Sequence, residues 1–364
     1  MSSTAQGPLA AAMQPFIDKR ILSGAVFLIA NKDRVLGLEA AGYADIAAKK
    51  PMQTDSLFWV ASQTKAVTGT AVTLLIDEGK LSPDDPIEKY LPEFKGQMLQ
   101  VEKDDDHVLL KKPNSLVTVR HVLSHTSGFV FSSPVETPTL DMLPLRVAVK
   151  SYAVMPLQSE PGTKYAYSNA GTNTAARLIE VVTGMSYHEF VSERLFRPLG
   201  MADTTHVPTE AQLQRLAKPY KPNADKTDLE ETTISQLHYP LSDPARHGFP
   251  AGGLFASARD CGRFCQMILN RGVFEGRRYL SEAAVSEMTR KQTGEIAPEN
   301  YGYGWSGKPT DFGHGGALGS NMWIHADIGL VTVWLIQGGR PVEGQNPLDA
   351  VKQVAFKMHP QKLN

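Results

Sequence analysis

Strand-like periodicity sits at both ends of this 364-residue chain and is missing from its middle. Ala25-Val-Phe-Leu-Ile-Ala30 and Val35-Leu-Gly-Leu-Glu-Ala40 flank the turn Asn31-Lys-Asp33, as two β-strands of a hairpin do. Near the other end, Tyr301-Gly-Tyr-Gly-Trp-Ser306 alternates aromatic and small residues, and Met322-Trp-Ile-His325 and Leu330-Val-Thr-Val-Trp-Leu-Ile336 follow it. These runs read as consecutive antiparallel strands joined by short turns. The two ends are expected to share one antiparallel sheet, so what lies between must fold as an insertion. Apolar periodicity predicts a helix from Leu9 to Ile21 and another from Leu348 to Met358, side by side on one face of that sheet. From Leu75 to about Pro250 the pattern is helical and loop-rich, with prolines at 83, 86, 92 and clustered between 134 and 161. The expected fold class is therefore α/β (α+β), with a sheet domain over 1–74 and 251–364. A mostly helical domain over 75–250 supplies the second wall of a cleft. Gln97 to Lys112 reads as an exposed hairpin with a charged tip, Asp104-Asp-Asp-His107.

Composition removes several classes of function. The chain is 42% hydrophobic and long enough to bury a substantial core. Lys plus Arg total 37 against 38 acidic residues, a balance with no electrostatic case for nucleic acid or an anionic membrane. No apolar run approaches the roughly 18 residues of a membrane span. Met1-Ser-Ser-Thr-Ala-Gln6 lacks the basic and apolar regions of a signal peptide. The expectation is a cytoplasmic protein if the chain is complete, and a periplasmic or secreted one if a leader was removed. Cys261 and Cys265, four apart on a predicted helix, are expected to be free buried thiols.

The chemistry centres on Ser62 and Lys65, the one Ser-x-x-Lys in the chain. On a helix, positions three apart share a face, so the amine lies beside the hydroxyl. An alcohol is a poor nucleophile until a base takes its proton, and a lysine serves once its pKa falls from about 10.4. The same pattern also fits a Ser cap beside a solvated Lys. Ser62 is placed where a helix opens, among orphan N–H groups that favour developing negative charge. Tyr167-Ser-Asn169 follows the turn Pro161-Gly162 and precedes a helical run from Thr172, which projects it from a loop entering a helix. A phenol beside an ammonium can have its pKa lowered and shuttle a proton. Asn169 offers an amide donor and acceptor, suited to holding both Lys65 and a substrate carbonyl. Otherwise Tyr167 is a core aromatic with a bonded hydroxyl. In Asp311-Phe-Gly-His-Gly-Gly-Ala-Leu-Gly-Ser320, glycines mark close approach of another backbone or a ligand, or else a bulge. The backbone N–H groups of Ser62 and Ala317 are thereby candidates for an oxyanion hole.

Ser62-Gln-Thr-Lys65, Tyr167-Ser-Asn169 and His314-Gly-Gly316 occur in the order of the three motifs of class C β-lactamase-like serine hydrolases, and the chain resembles that superfamily. Family VIII carboxylesterases, penicillin-binding proteins and D-amino-acid peptidases belong to it. Leu123-Ser-His-Thr-Ser-Gly-Phe129, Arg197-Pro-Leu-Gly-Met201 and Pro250-Ala-Gly-Gly-Leu254 also resemble stretches of the group, and the likeness runs from about Leu22 to about Gln353. It implies a β-lactamase/transpeptidase-like fold and an acyl-enzyme on Ser62. Lys65 and Tyr167 would share the general-base work, and Asn169 would orient Lys65 and substrate. His314, Gly315 and Gly316 would line the strand that aligns the acyl chain. No cofactor or metal is implied, and the partner is a small-molecule ester or amide.

The departure lies in the third motif, where β-lactamases of this class usually carry Lys-Thr-Gly. His314 is expected to be mostly neutral at pH 7 and Gly315 has no hydroxyl. That weakens the hold on a carboxylate and points to carboxylic esters first. β-Lactam or D-amino-acid peptide cleavage is the enzyme alternative, and a catalytically silent acyl-binding relative the non-enzyme one. Arg340 is either a replacement cation or a solvated loop residue. Two other signals fail. Gly302-Tyr-Gly-Trp-Ser-Gly-Lys-Pro309 has Pro where a phosphate-binding loop needs Ser or Thr. His121 and His125 have zinc-ligand spacing without a third ligand. His125-Thr-Ser-Gly128 is instead expected to end a helix on its glycine.

Overall fold

The computed structural model describes residues 7–298 and 300–359, so the Met1–Gln6 stretch read above lies outside the described residues. Helix α1 (Pro8–Asp18) leads into strands β1 (Gly24–Asn31), β2 (Val35–Asp45) and the short β3 (Lys50–Pro51). Helix α2 (Thr64–Asp77) follows, then the insertion, which contains helix α3 (Asn169–Thr183). Helix α4 (Ala258–Leu269) returns the chain to the sheet, where β4 (Ser306–Lys308), β5 (Asp311–Gly315), β6 (Asn321–His325) and β7 (Leu330–Leu335) run in sequence. Helix α5 (Pro347–Met358) closes it. The sheet is antiparallel with order β4-β5-β6-β7-β1-β2-β3. The chain ends meet at β7 and β1, in register from Val26 opposite Leu335 to Asn31 opposite Leu330.

Continuous apolar character in β1 and β7 follows from burial on both faces. Phe27, Ile29, Leu330 and Trp334 pack under α1 and α5 with Leu9, Met13, Val351 and Ala355. Val26, Leu28, Val331 and Val333 face the opposite way, toward Ala66, Phe264 and Met267 of α2 and α4. Each such fully buried side chain contributes roughly 1.5–3 kcal/mol. Helix α1 ends at Asp18 instead of Ile21, because Arg20 turns left-handed (φ 54°) and Ile21 folds down into the core.

Two further expectations need correction. Tyr301–Trp305 is not a continuous strand; apart from a single bridge from Tyr301 to Ser306 it runs as irregular backbone pressed onto α2, and the ladder begins at Ser306. Gly304 has φ 78°, and a Cβ there would collide with the Lys65 carbonyl. The helix Val119–Leu123 does not end on Gly128 either: His125 itself takes the left-handed conformation (φ 59°) just beyond it. The hairpin forms from Leu99–Lys103 and Val108–Lys111, and it does not line the cleft that holds Ser62. Among the described residues no helix is long and apolar enough to cross a membrane.

Candidate active site

Ser62 lies in a single 3₁₀ turn, Ala61–Gln63, one step before α2 begins at Thr64. Ala61 has φ 48°, which swings the chain sharply out of the strand pair Phe58–Trp59/Phe255–Ala256 and into the helix. The segment 249–256 laces this turn in place. Trp59 Nε1 donates to the Gly252 carbonyl at 2.7 Å, the Val60 N–H to Leu254 O at 2.9 Å, and the Leu254 N–H to Thr64 Oγ1 at 3.2 Å.

Lys65 is 1% exposed. Its Nζ donates to Asn169 Oδ1 at 2.7 Å and to the Ala251 carbonyl at 2.6 Å, and lies 3.4 Å from Ser62 Oγ and 4.6 Å from the Tyr167 ring centroid. None of these partners is a carboxylate. Burial without a counter-charge pushes the amine down to about 7. Tyr167 moves the other way: burial raises its phenol, with the Ser62 hydroxyl partly offsetting the rise. The expectation of a lowered phenol is overturned, because burial penalises the phenolate more than the Ser62 hydroxyl favours it.

Tyr167 and Asn169 are held by the loop after Val119–Leu123. The Ala166 N–H donates to the His125 carbonyl at 2.8 Å, the Ser168 N–H to His125 Nδ1 at 3.1 Å, and the Asn169 N–H to Phe131 O at 2.9 Å. Ser168 caps α3, so Asn169 is its first residue. The His125 ring lies 4.4 Å from the Tyr167 ring and 4.6 Å from that of Tyr301. Burial holds His125 neutral. His121 accepts from the Thr118 N–H; no cluster among the described residues is arranged to hold a metal ion.

Strand β5 carries the third motif along the other wall. His314 is buried and faces inward. Its Nδ1 lies 2.7 Å from the Gly315 carbonyl, which can only accept, so Nδ1 carries the hydrogen and Nε2 accepts from Tyr301 Oη at 3.1 Å. Burial and the nearby Lys65 push His314 down to about 4, so the imidazole is neutral. A Cβ at Gly315 would meet only Ser320 O, at 3.8 Å, whereas one at Gly316 would sit 2.6 Å from Val60 O. Gly316 is thus the close approach between β5 and the Ser62 turn. The cleft measures about 290 Å³ and is lined by Ser62, Tyr165, Tyr167, Tyr301, Ser306, His314, Gly315, Gly316, Ala317 and Trp323. No Lys or Arg is among them. Arg340 instead donates from Nη2 to Lys19 O at 2.9 Å and borders a separate hollow behind Ala317.

Sequence reasoning passed over a buried relay behind Lys65. The Ala251 N–H donates to Asn173 Oδ1 at 3.1 Å, Asn173 Nδ2 to Tyr152 Oη at 2.9 Å, and Tyr152 Oη to Glu136 Oε1 at 2.6 Å. Asn173 stands four residues after Asn169, on the same face of α3, and that i,i+4 repeat of asparagine was the available signal.

Comparison with known proteins identifies the family. The sequence model of the Beta-lactamase family matches residues 9–356. Protein Rv1367c of Mycobacterium tuberculosis is 31% identical over 330 residues, 87% of this chain and 78% of that protein. Penicillin-binding protein 4 of Amycolatopsis lactamdurans is 29% identical over 79% of this chain and 73% of its own length. Esterase EstB of Burkholderia gladioli is 28% identical over 79% and 74%. Among solved structures, EstCE1, described as a hydrolase with promiscuous acyltransferase activity, superposes with a TM-score of 0.79 at 22% identity, covering 96% of this chain and 97% of its own. The fold is the β-lactamase/transpeptidase-like one, and the chain belongs to the Beta-lactamase family of serine hydrolases.

Proposed function

We propose that this protein is a carboxylesterase that hydrolyses short-chain esters through an acyl-enzyme on Ser62. The observation that carries the choice of ester is that, among the described residues, no Lys or Arg lines the cleft. His314 is neutral and turned onto Gly315 O and Tyr301, and Gly315 has no hydroxyl. A penicillin carboxylate would meet no positive charge besides Lys65, whose pKa near 7 already leaves it half neutral.

Neutral Lys65 takes the Ser62 proton, and Oγ attacks the ester carbonyl carbon. The carbonyl oxygen becomes an oxyanion between the Ser62 and Ala317 N–H groups, where each donor is worth about 100- to 1,000-fold in rate. Tyr167, a protonated phenol at neutral pH, gives its proton to the departing alkoxide and recovers one from the Lys65 ammonium. The C–O bond breaks, alcohol leaves, and an acyl-serine remains. Water then attacks by the reverse relay and releases the acid. Asn169 keeps Lys65 aimed at Ser62, while His314 ties the end of β5 to Tyr301. Gly315 and Gly316 let the substrate and the Ser62 turn approach that strand.

The β-lactam or peptide alternative draws support from the relative named as a penicillin-binding protein. A non-catalytic acyl-binding role has against it the joint presence of Ser62, Lys65, Tyr167 and Asn169. Turnover of a nitrophenyl acetate and butyrate pair and of a chromogenic cephalosporin, in the native protein and in Ser62→Ala, separates the three. Ester turnover lost in Ser62→Ala, with the cephalosporin left intact, is the expected result. Faster cephalosporin opening selects the alternative, and no turnover or labelling selects the binding protein.

A further inference from the structure

The hairpin Leu99–Lys103/Val108–Lys111 stands off the body: every residue from Val101 to Lys112 is exposed. Its inner strand is tied down by the Gln100 N–H, which donates to Leu157 O at 2.9 Å. No strand among the described residues pairs with the outer edge of Val108–Lys111. That edge carries Val108, Leu109 and Leu110, which are 47%, 55% and 42% exposed. An open edge with three consecutive apolar residues is a template for pairing, and natural proteins blunt such edges unless they use them. Here the charges flank the apolar run instead of interrupting it. Asp104-Asp-Asp106 precedes it and Lys111-Lys112 follows. Lys111 pairs with Glu160 at 3.3 Å and Asp104 with His107 at 3.4 Å, whereas Asp105, Asp106 and Lys112 have no ion pair among the described residues.

An edge with an acidic turn at one end, an apolar centre and a basic other end is complementary to itself when reversed. We propose that a second copy of this chain docks on this edge, joining two hairpins into a four-stranded antiparallel sheet about a two-fold axis at Leu109. In that register Val108 lies opposite Leu110 of the second copy, and the turn that carries Asp105 and Asp106 lies beside its Lys112. Val108 and Leu110 share a face by the period of two, so pairing gathers four apolar side chains on one side. The two Leu109 side chains meet at the axis on the other. The interface is isologous, with each contact made twice. An interface limited to the hairpins falls below the roughly 1,200 Å² of standard complexes, so association depends on concentration.

Sedimentation equilibrium of the full chain from about 1 to about 100 µM, a range that brackets a micromolar dissociation constant, tests this directly. The native protein is expected to form a dimer within that range. Asp106→Lys and Lys112→Glu, each alone, set like charges beside each other twice per dimer and should weaken it about tenfold or more. Combining them restores opposite charges and should return the dissociation constant to within about threefold of native. Leu109→Lys should give monomer. Far-UV circular dichroism and melting temperature check that each variant is folded. A native protein that stays monomeric overturns the proposal, as does a dimer indifferent to all these substitutions, or single variants that the double variant fails to rescue.

Discussion

Lys65 Nζ donates to the carbonyl oxygen of Ala251 at 2.6 Å, so the amine is aimed at Ser62 by a backbone acceptor 186 residues further along the chain. Ala251 is held in turn through its own N–H by Asn173 and, through it, by the Tyr152–Glu136 pair. Replacing Asn173 by Ala leaves the Ala251 N–H and the Tyr152 hydroxyl short of buried partners, at about 1–3 kcal/mol for each unmet group. We expect kcat on a short-chain ester to fall about tenfold with KM little changed, together with a lower melting temperature. A drop in melting temperature with unaltered kcat would reduce Asn173 to a packing role.

The pH profile follows from the directions of the two ionisations. Burial lowers Lys65 to about 7, and only the neutral amine accepts the Ser62 proton. Activity should therefore rise about tenfold per unit of pH below 7 and level off above it, as one essential base requires. His314 at about 4 and His125, which burial lowers well below its ordinary value, are neutral throughout that window, and the raised Tyr167 stays protonated across it. Measured kcat/KM between pH 5 and 9 that falls with rising pH would contradict Lys65 as the resting base.

Lys65→Ala and Tyr167→Phe each remove a proton carrier from the relay. Both should lower kcat by about 100-fold or more while the protein stays folded, the range typical of general acid–base groups. Near-native rates in either variant, read by steady-state ester turnover, would remove that residue from the mechanism.

Gly315 and Gly316 are adjacent, yet they should respond oppositely. Gly315 has room for a side chain, so Gly315→Thr should fold normally and, combined with His314→Lys, shift selectivity toward carboxylate-bearing substrates. Gly316→Ala would drive a methyl against Val60 O and Ser320 Oγ. It should cost about 100-fold in kcat by pushing β5 away from the Ser62 turn and spoiling the oxyanion donors. Comparing the two variants on an ester and a penicillin checks both statements.

Where periodicity reports burial, the sequence was readable. The runs at Ala25–Ala30 and Leu330–Leu335 are apolar on both faces because helices cover both faces, and α1 and α5 lie as their patterns require. The spacing of Ser62 and Lys65 placed amine and alcohol together for the same reason. What escaped was whatever depends on backbone atoms or on close approach. Tyr301–Trp305 alternates like a strand, but its backbone approaches the Lys65 carbonyl closely at Gly304 and forms only the single Tyr301–Ser306 bridge. A carbonyl such as that of Ala251 has no side-chain signature, so its bond to Lys65 left no mark in the residue types. The direction of the Tyr167 shift depended on how deeply the phenol is buried, which spacing does not encode.

The central claim is a covalent acyl group on Ser62. Intact-protein mass spectrometry after rapid quenching from a short-chain nitrophenyl ester, followed by peptide mapping, reads it directly. We predict a mass increase of one acyl group on the peptide carrying Ser62, absent in Ser62→Ala and trapped for longer in Tyr167→Phe. Ester turnover with no adduct on that peptide, or with an adduct that survives Ser62→Ala, would contradict the account.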